Sequence, residues 1–436
     1  METQTKPKLN YSRTLLIGFG FFGISVLWTL YNAYVPIFLQ AGNPRFDAPG
    51  EVGFGFEAGL TGVIMTLDNI AAFFLLPAIG VWSDRVWTRV GRRMPFILVL
   101  APISIIAFVL IPFAVNAIPA DLSGQAGMLR SQLVLFMVAI GVFLTAMAAF
   151  RTPVIALMPD LTPSPLRSQA NGIINLMGGV GTLLATLAGG LLYGMGRVVP
   201  FVFGGLLMAF AITMLFLLVK EKREGVSESA SDEEGLGALR ALTAVSPEAR
   251  RSLAFLMGAI FCWFVGYNAV ETFLTSYGVS ELGMSPGTAA LLMGVASLSF
   301  LVFAVPSGYI AARFGRRRTI ITGLTVFGLL LAVNFFLQNP ALIWPIMGIG
   351  GLGWALVNIN SLPMVVDTAA SDADLGTYTG FYYLASQLAA VAGPTINGFI
   401  VQWGGGDYNL IFLVTPAFFL LAILCMLGVT RGEAVG

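Results

Sequence analysis

Three ionisable residues lie deep within apolar stretches: Asp68, Arg151 and Glu271. A charged side chain at the centre of a bilayer costs about 3 kcal/mol or more, so such residues are first candidates for function. With both acids ionised and the arginine charged, the trio carries one net negative charge. A single bound proton neutralises it, and a neutral group crosses a low-dielectric barrier more cheaply than a charged one. Asp68 is the first candidate for proton carrier and Glu271 the second. A second reading has Arg151 pairing with one of the acids to hold helices together. The chain contains no histidine, so proton chemistry falls to carboxylates.

Around these charges stands an uncharged polar set: Asn32, Asn268, Asn358, Asn360 and Gln387. Amides donate and accept, which suits a ligand rich in hydroxyls. They can equally tie helices together inside a membrane. Aromatic residues share their helical faces. Trp263, Tyr267 and Glu271 fall at i, i+4, i+8, and Trp28, Tyr31 and Asn32 at i, i+3, i+4; Trp354 precedes Asn358 by four and Tyr383 precedes Gln387 by four. Flat rings beside amides match a sugar ring, with its apolar CH faces and polar rim. Packing and interfacial belts are the commoner use of such rings in membrane helices.

The elements that must position these residues are membrane helices. The 436 residues are 57% hydrophobic and 10% charged, against about 25% charged in soluble domains. A helix needs about 20 apolar residues to cross a bilayer, and twelve stretches qualify: 14–39, 59–83, 94–115, 131–157, 168–193, 198–219, 252–277, 287–311, 319–338, 341–364, 378–402 and 408–429. The first follows Lys6, Lys8 and Arg13 and is too long for a signal-peptide core, so it reads as an uncleaved span. Residues 220–251 include the run SESASDEE and read as a flexible linker. The expected organisation is thus an all-α integral membrane protein with an N-terminal six-helix bundle (1–219), a cytoplasmic linker (220–251) and a C-terminal six-helix bundle (252–436). Of the 23 Lys and Arg, only Arg45, Arg130 and Arg197 fall on the far side when both termini are placed in the cytoplasm, and Arg151 lies within a span. That asymmetry is the positive-inside pattern. The basic residues are spread over short loops, which gives no surface for nucleic acid. Cys262 and Cys425 lie inside apolar stretches, and nothing in the chain reads as a metal or phosphate motif.

The two bundles repeat one another. Gly59, Gly80 and Arg85 match Gly287, Gly308 and Arg313 at an offset of 228, and Tyr31-Asn32-Ala33 recurs as Tyr267-Asn268-Ala269. Arg151 stands nine residues before Asp160, and Asn358 nine before Asp367. Asp160 to Gly172 also resembles Asp367 to Gly380, and four matches in one order argue for a duplicated six-helix unit. The three intramembrane charges break the repeat, because their counterparts are Ala296, Asn358 and Val35.

The loop from Gly80 to Ile97 reads GVWSDRVWTRVGRRMPFI, and a shorter copy, GYIAARFGRRRTII, spans Gly308 to Ile321. Gly80, Asp84, Arg85, Gly91, Arg92 and Arg93 resemble the signature loop of the major facilitator superfamily. The inserted Val86–Val90 and the following Pro95-Phe96 resemble the longer loop of the sucrose/proton symporters and the glycoside–pentoside–hexuronide cation symporters. PVIALMPDL, from Pro153 to Leu161, is similar to the end of the fourth helix in sucrose carriers. The resemblance implies twelve helices in two pseudo-symmetric halves, alternating access, and a cavity lined by the first, fourth, seventh and tenth spans. It implies import of a disaccharide or other glycoside, sucrose- or maltose-like, by proton symport, with no cofactor beyond the proton. It also implies a monomer in the lipid bilayer of a bacterial cytoplasmic membrane. Two departures stand out. Ala72 and Leu76 occupy the positions of the paired aspartates of sodium-using relatives, and Leu144 and Ile155 fall near the charged sites of plant sucrose carriers. The basic loops are expected to latch the halves on the cytoplasmic side through Gly80, Asp84, Arg85, Gly91, Arg92 and Arg93, and through Arg313, Gly315, Arg316 and Arg317. Ala312 stands where Asp84 would repeat. An exporter or carrier of another small molecule, or a transporter-like sensor, is the alternative.

Overall fold

The computed structural model describes residues 9–162, 166–221, 247–368 and 375–432. Twelve helical segments among them are long and apolar enough to cross a membrane. The helices are α1 (Tyr11–Gln40), α2 (Ala58–Met65), α3 (Leu67–Arg85), α4 (Met94–Asn116), α5 (Arg130–Leu161), α6 (Arg167–Tyr193), α7 (Val199–Leu218), α8 (Pro247–Ser280), α9 (Pro286–Phe314), α10 (Arg316–Leu337), α11 (Ile343–Val366), α12 (Leu375–Trp403) and α13 (Ile411–Leu427). No strand occurs among the described residues; the loop after α3 closes on a single bridge between Thr88 and Gly91.

The second span, expected as one helix, is broken at Thr66. The Thr66 N–H donates to the Val63 carbonyl (3.1 Å), and its hydroxyl donates to the same oxygen (2.8 Å). This tight local turn ends α2 and restarts the chain as α3. Asp68 therefore lies in the first turn of α3. Unmade N–H groups at a helix start favour a carboxylate.

The chain divides into two compact units. In the first, α1 packs on α6 and α7, α4 on α5, and α3 on α5. Small residues permit these approaches. A Cβ on Gly181 would lie 2.6 Å from the Phe22 carbonyl oxygen, a distance that only a glycine tolerates. In the second unit, α8 packs on α12 and α13, α9 on α11, and α10 on α11. These are the same pairings one duplication later. A Cβ on Gly351 would lie 2.2 Å from the Ala296 carbonyl oxygen, so the glycine-rich stretch of α11 serves close packing against α9.

The boundary differs from the expected one. Residues 43–48 and 56–66 group with the second unit, although they precede residue 219. Within that unit α2 lies against α12, where Gly62 meets the Pro394 carbonyl and Gly398 meets that of Ala58. Phe46 packs edge-on to Tyr408 (5.4 Å). The expected linker falls largely outside the described residues; only Lys220, Glu221 and 247–251 of it are described. In the first unit the loop at Glu51 is pinned to the end of α6: Tyr193 Oη donates to Glu51 Oε2 (2.9 Å), and Arg197 Nε donates to the same oxygen (2.7 Å).

Candidate functional site

In the first unit α1 presents Trp28 and Tyr31, whose rings meet edge to face at 5.6 Å. Both pack on Phe143 of α5, at 5.6 and 5.4 Å. Tyr31 is fully buried and its hydroxyl has no hydrogen-bond partner among the described residues. The Asp68 carboxylate lies within electrostatic reach of that hydroxyl. Asp68 Oδ1 also accepts from Asn69 Nδ2 at 2.9 Å. Asn32 is half-buried on α1. Arg151 lies on an exposed face of α5, and its neighbour Thr152 donates from its hydroxyl to the Leu76 carbonyl (3.4 Å), tying α5 to α3. The fold thus gathers Trp28, Tyr31 and Asp68 from two helices distant in sequence.

The second unit builds a denser aromatic group. Tyr267 of α8 stacks on Trp354 of α11 with centroids 4.0 Å apart and planes 4° from parallel. Phe264 meets Trp354 edge-on at 5.5 Å and Tyr382 of α12 at 6.2 Å. The hydroxyls of Tyr382 and Ser361 lie 3.2 Å apart, and Ser361 Oγ donates to the Asn358 carbonyl at 2.8 Å. Glu271, one turn beyond Tyr267, is electrostatically coupled to it. Asn268 is half-buried, and its buried amide nitrogen has no partner among the described residues. The repeat-equivalent tyrosines, Tyr31 and Tyr267, therefore each stand near an acid, although the acids come from different places in the repeat.

Several expected site residues take other places. Asn360 is buried and committed to structure: its Nδ2 donates to Ser307 Oγ on α9 (3.0 Å) and to the Leu356 carbonyl (2.9 Å). It is an interhelical tie and not part of an open binding surface. Trp263 is completely buried, with its indole N–H unpartnered among the described residues. Four residues turn a helix by about 40° beyond a full circle, so the face that opens at Tyr267 has rotated into the core at Trp263. On α12 the same geometry selects Tyr382 for the cluster and leaves Tyr383 56% exposed, with Gln387 half-buried.

The basic loops are pinned inside their own units. Arg92 Nη2 bonds Asp160 Oδ1 (2.9 Å) and Arg93 Nε bonds Asp160 Oδ2 (3.0 Å). Arg93 also donates to Ser83 Oγ. Glu221 caps α4, accepting from the backbone N–H groups of Arg92 (2.7 Å), Arg93 (3.1 Å) and Met94 (2.8 Å). Gly91 turns with φ +123°, and a Cβ there would strike Glu221. Gly80 lies over Thr152, and Arg85 is exposed. The side chain of Asp84 lies outside the described residues. In the second unit Gly315 turns with φ +89°, Arg316 pairs with Asp367, and Arg317 donates to the carbonyls of Met426 (2.9 Å) and Leu427 (2.7 Å). Arg313 is exposed, its guanidinium 5.6 Å from the Phe314 ring. Among the described residues, Asp160 and Glu221 hold the first basic loop, and Asp367 with the end of α13 holds the second.

The sequence pattern of the Major Facilitator Superfamily matches residues 17–300 and 279–435, nearly the whole chain. The chain belongs to the Major Facilitator Superfamily. This superfamily member is 36% identical over 96 residues to the human proton-associated sugar transporter A, a match covering 22% of the chain and 11% of that protein. It is 18% identical over 373 residues to the class E tetracycline resistance protein of Escherichia coli, covering 84% of both chains. Among solved structures it superposes on the nucleoside transporter NupG with a TM-score of 0.69 at 16% identity, covering 96% of this chain and 99% of that one. It superposes on the peptide transporter POT in complex with sulfate at 0.67 and 13% identity, covering 95% and 94%. The chain is a multi-pass integral membrane protein of this superfamily, with twelve helical segments among the described residues long and apolar enough to cross a bilayer. Phe143, Phe264 and Tyr382 join the two groups without any mark in the sequence, and the hub Asp160 is marked there only as a repeat position. Asp160 and Asp367 had been in register in the repeat all along, and a shared acid at a shared position was the available signal. The three aromatics carried none, because each is one ring among many in a largely apolar helix.

Proposed function

We propose that this transporter imports a sugar, a disaccharide or other glycoside of sucrose or maltose type, by proton symport with alternating access. The observation that carries the reading is the Tyr267–Trp354 stack on α8 and α11, beside the Asn268 amide donor, which has no partner among the described residues, and one turn from Glu271. Aromatic faces meet the CH surfaces of a pyranose and amides meet its hydroxyls. Asp68 carries the proton, with Glu271 as the second acid. The loop insert Val86–Val90 and its resemblance to sucrose/proton and glycoside–pentoside–hexuronide symporters support the sugar class, as does the similarity to the human proton-associated sugar transporter A. The protein acts as a monomer in a bacterial cytoplasmic membrane with both termini inside. It performs no covalent chemistry and its only coupling agent is the proton.

The decisive experiment is uptake into proteoliposomes from a panel of disaccharides with and without an inward proton gradient. Proton-driven accumulation of at least one glycoside is expected. Asp68→Asn should abolish accumulation while leaving counterflow exchange. Full accumulation by that variant removes Asp68 from coupling, and a sodium requirement overturns proton symport. The second reading, an exporter or carrier of another small molecule, is favoured by the similarity to the tetracycline resistance protein across most of both chains. Gradient-driven accumulation of a drug inside inverted vesicles, with no glycoside uptake by proteoliposomes, would establish it.

A further inference from the structure

We propose that the arginine-rich end of the second unit holds the headgroup of an anionic phospholipid. A cavity of about 650 Å³ opens where α9 ends, α10 begins and α13 ends. That volume lies within the range of small-molecule sites. Arg313, Arg317 and Arg318 line it together with Phe314, Ile321 and Leu427, and no carboxylate does among the described residues.

The distribution of partners along this basic run separates the residues by role. Arg316, absent from the lining, is the one that pairs with Asp367. Arg317 braces the wall through the carbonyls of Met426 and Leu427. Arg313 and Arg318 are exposed, and among the described residues neither has a carboxylate partner. In the first unit Arg92 and Arg93 are buried against Asp160 and Glu221 sits over their backbone, while Arg85, the counterpart of Arg313, is exposed. The duplication makes the contrast specific, because Ala312 replaces the acid that the first copy carries as Asp84. The second copy has lost an anion and kept the cations around an open cavity.

The rim suits a lipid rather than a free anion. Phe314 and Leu427 are each 56% exposed and stand at the ends of spanning helices, so apolar surface meets the arginines at the depth of the bilayer interface. The Arg313 guanidinium lies 5.6 Å from the Phe314 ring, holding a cation against that apolar edge. Basic pockets between helix ends recognise anionic headgroups, each nearby arginine strengthening the attraction severalfold. A phosphodiester would take the two unpaired guanidiniums while its acyl chains follow Phe314 and Leu427.

The test uses the full chain purified in neutral detergent, with dioleoylphosphatidylglycerol as probe. Dioleoylphosphatidylcholine and free glycerol phosphate serve as separate arms. Bound lipid is read by native mass spectrometry and by the thermal midpoint. Phosphatidylglycerol is expected to be retained and to raise the midpoint, and the other two to do neither. The pair Arg313→Gln with Arg318→Gln should weaken its apparent affinity about tenfold or more. The charge-matched pair Arg89→Gln with Arg250→Gln, at exposed positions that are not part of the cavity lining, should stay within about twofold. Arg318→Lys should keep the affinity, which separates loss of charge from loss of fold. Equal losses in the two pairs, or wild-type affinity in the first, overturn the proposal. Stabilisation by glycerol phosphate alone, or by phosphatidylcholine equally, does so as well.

Discussion

Asp160→Asn should destabilise the protein far more than Asp367→Asn, although the two aspartates are repeat equivalents. The Asp160 side chain is 16% exposed and meets two guanidiniums that are themselves 8% and 4% exposed. Removing one partner of a buried charged group leaves the other uncompensated, at about 3–5 kcal/mol. Asparagine keeps one acceptor oxygen, so the loss should fall near the lower end, about 3 kcal/mol. Asp367 is 42% exposed, so water screens its pair with Arg316. Exposed pairs contribute about 0–1 kcal/mol, which leaves a gap of about 2 kcal/mol between the two variants. Denaturant-induced unfolding in one detergent at matched salt measures it. Raising the salt should erode the Asp367 contribution and leave that of Asp160 largely intact. A double-mutant cycle between Asp160→Asn and Arg93→Gln should show coupling of about 1 kcal/mol or more. Equal losses at the two aspartates, or no coupling in the cycle, would refute the claim that burial sets the difference.

Three further outcomes follow from particular contacts. Gly351→Ala should lower stability by about 1–3 kcal/mol, because the added methyl would meet the Ala296 carbonyl oxygen at 2.2 Å; Gly172→Ala, with open space at its Cβ, is the control in the same melt. Glu281 lies just beyond the membrane-spanning part of α8, and burial pushes its carboxyl above the ordinary 4.5, with the negative charge of Asp407 adding and the Tyr408 N–H and Ser280 side chain opposing. Its folded form thus prefers the proton, so this contribution to stability is full below the unfolded value and is lost as pH rises through the raised one; Glu281→Gln should flatten that fall in the thermal midpoint. Trp354→Ala removes one ring of the Tyr267 stack and should weaken glycoside binding about tenfold, whereas Trp354→Phe should retain most of it; a binding isotherm on each variant checks this.

Membrane spans, their number and the internal duplication were readable from the sequence, because each depends on local composition or on repetition. A run of about 20 apolar residues must become a helix in lipid, whatever it packs against. The acids near the two repeat-equivalent tyrosines were readable for a related reason: a charge in an apolar run stands out without any knowledge of neighbours. What surrounds those residues was decided only by the tertiary structure. Periodicity puts Trp263, Tyr267 and Glu271 on one stripe, yet the slow rotation of the helix buries the first and leaves the second half-open against Trp354. Asn358 and Asn360 look alike in sequence, but α9 supplies Ser307 to Asn360 and so makes it a tie. The break at Thr66, which sets Asp68 at a helix start, rests on two bonds to a single carbonyl. The two basic loops share a pattern of glycines and arginines, and only the packed bundles determine which cations find a carboxylate. Ion pairing depends on which groups from distant segments come within a few ångströms, and a linear chain does not carry that information in its local pattern.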